Sequence, residues 1–318
     1  MISSKTIQGY IAGLLAALFW GVHSVIIRNL TGEGVSPFLI AGLRLYIGII
    51  TIFVLLTLFR VFGKGKITKD EPVKVNHFFW LAAFSLGINF LLFQWGLHFT
   101  LASDANLIQN FSPVAVLLIS SLFLGHRVKE IAPNQLYWRR VLQIVVIGSI
   151  GASFVLINDS NNVFVSSHDK LLGDVIEFVG MIFFAIFAMC SSEFAKTHSI
   201  YSSLKITMMT LAVAALPVTL FVPFKEILTL TTVQWEWMVF IGVFSTGFAY
   251  FLWHVASKRL NVIPLSLNLV YIGIITVLTE FFFLKLMFGW EFVVGGLLMI
   301  GASVAAEMLN SKAHEITN

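Results

Sequence analysis

Three ionisable side chains lie within or at the edge of long apolar stretches: Arg44, Glu177 and Glu280. An ionisable group in such a setting is costly unless it is paired or hydrated, so each is a candidate functional residue. The planar fork of Arg44 suits bidentate binding of a carboxylate. A substrate could supply that carboxylate, or an acidic residue of this protein could do so in a structural ion pair. The sequence leaves both readings open.

The two glutamates could carry a proton or bind a substrate ammonium group. Glu280 has no charged neighbour in sequence, and its alternative role is structural, either protonated or paired with Arg44. Glu177 lies one turn into its apolar segment and shares a helix face with Asp174 at i and i+3. Asp174 is expected to be solvated at the interface. Asp104 begins another apolar segment, where we expect it to cap the helix.

Histidine titrates near neutral pH, which makes His23 a third candidate for proton coupling. A lone histidine such as His254 is otherwise expected to be a hydrogen-bonded packing residue. The histidines have no metal-binding spacing on one helix, and there is no Walker A pattern. We therefore expect no metal, no cofactor and no ATP-driven step.

Polar and aromatic side chains could line a solute pathway beside these charges. Asn110 shares a helix face with Asn106, and both could line the pathway or form interhelical hydrogen bonds. Aromatic rings could build the apolar wall of a pocket and offer cation–π contacts to an ammonium group. The aromatic candidates are Trp20, Trp95, Tyr250 and Tyr271.

The elements that position these residues must be membrane helices. Of the 318 residues, 58% are apolar and 11% are charged, against about 45–50% and about 25% in soluble domains. This composition excludes a soluble enzyme and a disordered chain, and the single Cys190 excludes an intramolecular disulfide. The basic residues are spread between apolar runs, so nucleic acid is not an expected partner, and the lipid bilayer is.

The apolar runs predict an all-α membrane protein with ten transmembrane helices, because about 20 apolar residues cross a bilayer and lipid leaves backbone groups without partners. Most of the 20 lysines and arginines fall on one side of this topology. The rule that cytoplasmic loops are rich in Lys and Arg then predicts that both termini are cytoplasmic. On the other side we count Arg28, Lys170, Lys225 and Lys285. The predicted helices are 7–28, 36–60, 77–100, 102–125, 139–158, 172–195, 202–224, 236–257, 262–287 and 290–309.

The two halves, residues 1–160 and 161–318, resemble each other in the order of aromatic, glycine and polar residues. Each half has five predicted helices. An odd number places two similar halves upside down to each other in the membrane, so we predict two inverted five-helix repeats. In transporters of this design the site lies at the repeat interface near the midplane.

Short stretches of the sequence are similar to the EamA-type repeat of the drug/metabolite transporter superfamily. They are the run at 13–21, Ala41-Gly42-Leu43-Arg44, Ser112-Pro113-Val114, Leu172-Gly173-Asp174 and the glycine-rich run at 295–301. The sequence departs from the family at Gly125-His126 and Lys285, where Gly-Glu is common. The resemblance implies ten helices in two inverted repeats, and solute transport that is often export.

Together the residues and the resemblance predict a secondary active transporter in a bacterial inner membrane, not an enzyme. Its expected substrate is a small polar metabolite, an amino acid or related zwitterion, exported in exchange for protons by alternating access. The alternative is an exporter of lipophilic cations or drugs, in which Arg44 is structural. Small residues at helix faces would also allow a homodimer.

Overall fold

In the described part of the chain the structure is helical and contains no strand. The structure, a computed structural model, describes residues 4–62, 75, 77–112, 114–115, 119, 135–157, 167–197, 200–259 and 262–315. The predicted boundary at residue 160 and the motif residues Pro113, Gly125 and His126 lie outside them.

The helices are numbered here in chain order, and contiguous α and π pieces are joined. A short 3₁₀ helix, Phe224–Thr229, connects α7 to α8. The helices are α1 Ser4–Gly32, α2 Pro37–Phe62, α3 His77–Phe99, α4 Ala102–Gln109, α5 Gln135–Ile157, α6 Ser167–Thr197, α7 Ile200–Thr219, α8 Thr232–Phe240 with Ile241–Phe248 and Ala249–Arg259, α9 Val262–Thr279 with Glu280–Leu284, and α10 Trp290–Glu315.

Five helices of the described chain are long and apolar enough to cross a membrane: α1, α2, α3, α6 and α8. Shorter apolar stretches lie in α7, α9 and α10. Large apolar side chains such as Phe53, Leu216 and Phe283 are exposed on the outer surface of the bundle. Such a surface requires lipid around it, so the protein is a multi-pass membrane protein.

Several helix ends differ from the predicted segments, and α10 ends at Glu315, six residues later than predicted. Helix α6 begins at Ser167, five residues before the predicted start, so Lys170 lies within a helix and is buried. Lys170 was predicted to lie outside the helix because a lysine is typical of a polar loop. Its ion-pair partners, which allow it to be buried, cannot be identified from the sequence. Helix α7 ends at Thr219, five residues early, because the chain then turns into the 3₁₀ helix at Phe224–Thr229.

The two halves of the chain pack mainly against each other rather than each within itself. Helix α3 packs along α6 and α1 along α8; α2 contacts α8 and α7 contacts α3; α4 contacts α6 and α9 contacts α1. Each of these pairs is converted into another of them when every helix is replaced by its counterpart in the other half, five numbers away. The pair α3 and α6, for example, becomes α8 and α1. The remaining large interfaces, α2 with α7 and α5 with α10, map onto themselves.

Glycines allow the closest of these helix contacts. A Cβ atom on Gly87 of α3 would lie 2.4 Å from the carbonyl oxygen of Ala214 in α7. A Cβ on Gly48 of α2 would lie 2.6 Å from Cγ2 of Thr246 in α8. Small residues let backbones approach in this way, and packing rather than a hydrophobic driving force holds membrane helices together.

Helix α8 contains a π segment, Ile241–Phe248, where it faces α2. π segments are rare and frequently occur at functional sites. The side chain of Thr246 donates to the carbonyl oxygen of Ile241 at 3.3 Å, and the carbonyl oxygen of Ser245 accepts a hydrogen bond from α1. The irregular turn therefore offers backbone and hydroxyl groups to neighbouring helices, which a regular α-helix does not.

The Gly87 contact gives a test of this packing. Gly87→Ala should lower the free energy of unfolding by about 1–3 kcal/mol, because the obstacle is backbone that cannot move aside. Gly301→Ala in α10 is the matched control, since apart from its own helix and chain neighbours no atom of the described residues lies within 4 Å of its added Cβ. Thermal unfolding in detergent should show a lower Tm for Gly87→Ala alone, and equal Tm values for both variants would contradict this interface.

Candidate substrate-binding cavity

A cavity lies between the two halves of the chain. Helices α1 to α4 contribute lining residues from the first half, and α6, α8 and α9 contribute them from the second. The lining residues are Trp20, His23, Arg44, Asn89, Phe90, Phe93, Gln94, Asn106, Gln109, Asn110, Phe184, Tyr250 and Ile272.

Arg44 is the charged residue of this lining, and the whole residue is 3% exposed. Its Nε donates a hydrogen bond to Thr246 Oγ1 at 3.3 Å, and its Cζ lies 4.8 Å from the ring centroid of Phe90. No carboxylate among the described residues forms an ion pair with it. Among the described residues the guanidinium contacts a hydroxyl group and an aromatic face. Its remaining N–H groups can therefore donate to a bound anion.

Aromatic side chains of the lining form an aromatic wall with Trp20 at its centre. The Trp20 indole donates to the carbonyl oxygen of Ser245 at 2.9 Å, so the π segment of α8 fixes its ring. Its ring centroid lies 5.4 Å from that of Tyr250, at 72°, and 5.5 Å from that of Trp253. Edge-to-face rings of this kind form a rigid apolar surface with π faces available to a cation.

Several polar atoms around the cavity are buried without a hydrogen-bond partner among the described residues. They are both side-chain polar atoms of Gln94, Nδ1 of His23 and Nδ2 of Asn110. Buried polar groups are nearly always satisfied in folded proteins. Three unsatisfied side chains around one cavity therefore indicate that a polar ligand or water meets them there.

Glu177 lies just behind the lining. Its Oε2 accepts a hydrogen bond from Nε2 of Gln109 at 3.2 Å, and its Oε1 has no partner among the described residues. A Cβ on Gly96 would lie 2.6 Å from this Oε1, so Gly96 makes the room for the carboxyl group. Glu177 is thus one side chain away from the cavity and connected to it through Gln109.

Glu280 lies outside the cavity lining and has a structural role. Its Oε1 accepts from the backbone N–H of Ala102 at 2.9 Å, and its Oε2 accepts from that of Ser103 at 3.1 Å. It therefore caps the amino end of α4, where Leu101 has no side-chain cap of its own. Helix starts leave N–H groups unpaired and favour negative charge. Glu280 does not line the cavity and does not pair with Arg44.

The expected cap, Asp104, forms an ion pair instead. Lys170 Nζ lies 3.2 Å from Asp104 Oδ2 and 2.9 Å from Asp174 Oδ2, and Thr100 donates to Asp174 Oδ1 at 2.5 Å. Capping by Asp104 and solvation of Asp174 were wrong predictions. Both carboxylates are fully buried, because the longer α6 carries Lys170 between them. This cluster and the Glu280 cap connect the two halves at one end of the bundle.

Of the predicted site residues, the structure brings Trp20, His23, Arg44, Asn110 and Tyr250 to one cavity. Trp95 and Tyr271 are 39% and 44% exposed on the outer surface, away from the lining. Phe93, Phe184 and Ile272 line the cavity and were not singled out by the sequence. Nothing in their residue types separates them from the many apolar residues that face lipid or the core.

Asn106 and His254 have the hydrogen bonds expected of packing residues. Asn106 Nδ2 donates to Thr276 Oγ1 at 2.8 Å, although Asn106 also lines the cavity. His254 Nδ1 lies 2.7 Å from the carbonyl oxygen of Tyr250 and 3.2 Å from Thr207 Oγ1.

The capping role of Glu280 can be tested by stability. Glu280→Ala should cost about 1–3 kcal/mol, because it leaves two buried N–H groups of α4 without an acceptor. Glu280→Gln keeps one acceptor oxygen and should cost less. Glu291→Ala, in the first turn of α10, is the control. A Tm for Glu280→Ala equal to that of the control would argue against the cap.

Comparison with known proteins agrees with this architecture. A model of the EamA-like transporter family matches residues 7–132 and 171–306, so the chain contains two copies of its repeat. One crystal structure of a protein has a TM-score of 0.59 and 18% identity, and the match covers 97% of both chains, which indicates a shared fold. No curated protein matches the sequence significantly. Because the family matches most of the chain, the protein belongs to the EamA-like transporter family.

Proposed function

We propose that the protein is a secondary active transporter of a small polar metabolite that carries a carboxylate, an amino acid or related zwitterion. The observation that carries the proposal is Arg44, a buried cation that faces the cavity without a carboxylate partner among the described residues. Leaving such a charge uncompensated is costly, so an anionic substrate is the natural partner.

In this proposal the ammonium group of the substrate is bound without a protein carboxylate. The sequence favoured Glu280 or Glu177 for that role, but neither lines the cavity. The π faces of Trp20 and Tyr250 and the side-chain oxygens of Gln94 and Asn110 are the alternatives that the lining offers. Cation–π contacts gain strength away from water.

Transport would proceed by alternating access between two inverted five-helix repeats, with ten spans and both termini in the cytoplasm. The interchange of helix contacts between the halves supports the repeats. Lysines and arginines concentrate in the predicted inner loops, which supports this orientation. The Lys170 cluster and the Glu280 cap would then lie at the outer end, where their bonds between the halves must break for that end to open.

The alternative substrate, a lipophilic cation or drug, has less support. The aromatic wall would suit such a cation, but the nearest fixed charge in the lining is the guanidinium of Arg44, which would repel it. Uptake into proteoliposomes of an amino-acid panel and of cationic dyes separates the two substrates.

The carboxylate role of Arg44 can be measured with paired ligands. Arg44→Gln should weaken binding of the amino acid about 10- to 100-fold, because a hydrogen bond to a charged group is lost. Binding of the matching amino-acid amide, which has no carboxylate, should change little. Arg60→Gln, on the exposed end of the same helix, is the control variant. Equal losses for acid and amide would exclude recognition of the carboxylate.

We further propose that export is driven by proton exchange, with Glu177 as the first candidate for the coupling group. Glu177 contacts the lining residue Gln109. His23 lines the cavity directly and is the second candidate. Glu280 is less suited because the α4 amino end holds both of its oxygens.

If Glu177 couples protons to transport, its substitution should affect accumulation driven by a pH gradient but not substrate exchange. Glu177→Gln keeps an acceptor for Gln109 and cannot ionise, so substrate exchange across vesicles should persist while accumulation driven by a pH gradient is lost. Glu226→Gln, in the exposed 3₁₀ helix, is the control and should behave as the parent. Loss of pH-driven accumulation in His23→Gln instead would assign the role to His23, and persistence in both would refute coupling at either residue.

A further inference from the structure

Buried acidic groups outnumber buried basic groups at the end of the bundle that contains Thr100. Asp104, Asp174 and Glu177 are fully buried there, and Lys170 is a buried basic residue beside them. The ammonium group of Lys170 contacts Asp104 at 3.2 Å and Asp174 at 2.9 Å. In the described part of the chain three buried carboxyl groups therefore share one buried ammonium group. If all three were ionised, two negative charges would lack a countercharge.

Glu177 belongs to the same group because it faces the same turn of α3 as Asp174. The two residues share a face of α6 at i and i+3. Asp174 accepts a hydrogen bond from Thr100, and a Cβ on Gly96, one turn earlier in α3, would lie 2.6 Å from Glu177 Oε1. The other oxygen of Glu177 accepts from Gln109, which lines the cavity. The acidic group therefore extends from the Lys170 ion pairs to the wall of the cavity.

The three carboxyl groups differ in how well their charge is compensated. Asp174 accepts hydrogen bonds from both Thr100 and Lys170. Neither oxygen of Asp104 has a well-aligned hydrogen-bond donor among the described residues, and Glu177 Oε1 has none either. A carboxylate that is buried without sufficient donors or countercharge is costly, and it takes up a proton instead. Asp104 and Glu177 are therefore the two carboxyl groups suited to hold protons.

The other charged groups around this cluster do not remove the excess of acid. Glu280 approaches Asp104 from α9 and adds a further carboxyl group, but the amino end of α4 binds both of its oxygens. Arg28 of α1 is half-buried near Glu280 and donates to the carbonyl oxygen of His98 in α3. Asp169, at the start of α6, is exposed. These residues leave the charges of Asp104 and Glu177 uncompensated.

The cluster lies across the interface that separates when this end of the bundle opens. Lys170 contacts Asp104, and Glu177 contacts Gln109, in each case from the second half to the first. Separation of the halves would admit water, and a hydrated carboxyl group ionises at neutral pH. The closed end therefore binds more protons than the open end. By linkage, a lower pH favours closure and a higher pH favours opening.

We propose that Asp104 and Glu177, together with the Lys170–Asp174 pair, form a proton-binding site that is loaded while this end of the bundle is closed. Each of the two carboxyl groups takes up one proton from water on closing and returns it to water on opening. The site extends the proton exchange proposed for Glu177 to two protons, and its role in transport rests on the proposed function. Proton binding and pH-dependent closure can be tested without a substrate.

Closure is measured with a reporter cysteine in a Cys190→Ala background, which removes the single native cysteine. Ser103→Cys places the reporter beside Asp104, at a position that is fully buried in this structure. Leu228→Cys, 90% exposed in the 3₁₀ helix, is the reference that corrects for ionisation of the thiol. A membrane-impermeant thiosulfonate is applied to oriented vesicles from the outer side of the proposed topology. The ratio of the two labelling rates then reports opening of this end.

The labelling ratio should rise with pH in the parent protein, by up to about tenfold per pH unit for each proton released. Glu177→Gln keeps the contacts of Lys170 and removes one of the two protons, so the rise should be shallower. Adding Asp104→Asn leaves Lys170 with Asp174 alone, and this double variant should give a ratio nearly independent of pH. Asp169→Asn removes an exposed carboxyl group from the same helix and is the control, which should behave as the parent.

Two results of the labelling experiment would overturn the proposal. One is a ratio that does not change with pH in the parent. The other is a pH dependence in the double variant as steep as that of the parent, because a different group would then be titrating.

Protonation itself is measured by infrared absorption, which separates protonated from ionised carboxyl groups. The difference spectrum between the parent and the double variant at neutral pH should contain the C=O band of protonated carboxyl groups, and this band should shift in D₂O. If the double variant labels rapidly at every pH because its fold has loosened, the difference spectrum between the parent and Glu177→Gln decides. Absence of the band from that spectrum would overturn the proposal.

Failure of the proposed function gives a different result. If the parent shows no accumulation driven by a pH gradient, proton-coupled transport fails, while a pH-dependent labelling ratio and the infrared band would still support the site. If such accumulation occurs but the ratio in the parent is independent of pH and the band is absent, the coupling proton binds elsewhere and this inference fails.

Discussion

A cation inside a membrane protein needs an anion, water or a π face, and Arg44 has its guanidinium where the described chain provides no anion. The surroundings are built around that need. Gly48 lets α2 approach the π segment of α8, which brings Thr246 to Nε of Arg44. The same segment turns a carbonyl oxygen toward Trp20 and fixes the aromatic wall. In a regular helix the carbonyl oxygen of Ser245 would be the acceptor of a bond within the helix, whereas here it accepts from Trp20, which lines the charged cavity.

The acidic residues have been placed elsewhere, and this separation has a consequence for the cavity. Glu280 is occupied by the amino end of α4, and Asp104 and Asp174 are occupied by Lys170. Because these carboxylates already have partners, they do not neutralise Arg44, and its charge remains available to a ligand. The contacts of Glu280 with α4 and of Lys170 with Asp104 cross between the two halves. A substrate that changed the relative position of the halves would therefore act against buried polar bonds at this end, each of which is costly to leave unmade.

The sequence predicted much of the fold because membrane helices leave a long apolar signature, and the family match to both halves confirms the membership that the short motifs suggested. Arg44, Trp20 and His23 could be picked out because polar or bulky side chains are conspicuous in such runs. The residues that these side chains contact could not be identified from the sequence, because the contacts depend on the register between helices that are distant in the chain. Glu280 was assigned to the substrate because the groups that donate to it, the N–H groups of Ala102 and Ser103, belong to the backbone and cannot be identified from residue type. Lys170 and the π segment were missed for the same reason: both depend on tertiary contacts.

The two ends of the bundle are closed by different kinds of contact. At the Thr100 end the halves are joined by a buried ion pair, a buried hydrogen bond and a helix cap, which are directional contacts. Toward the opposite end, where α8 ends at Arg259, a hydrogen bond from Arg259 to Gln8 joins the halves at an exposed position. Exposed polar bonds contribute little because water replaces them. The hydrogen bond between Arg259 and Gln8 therefore resists separation of the halves less than the buried contacts at the Thr100 end do.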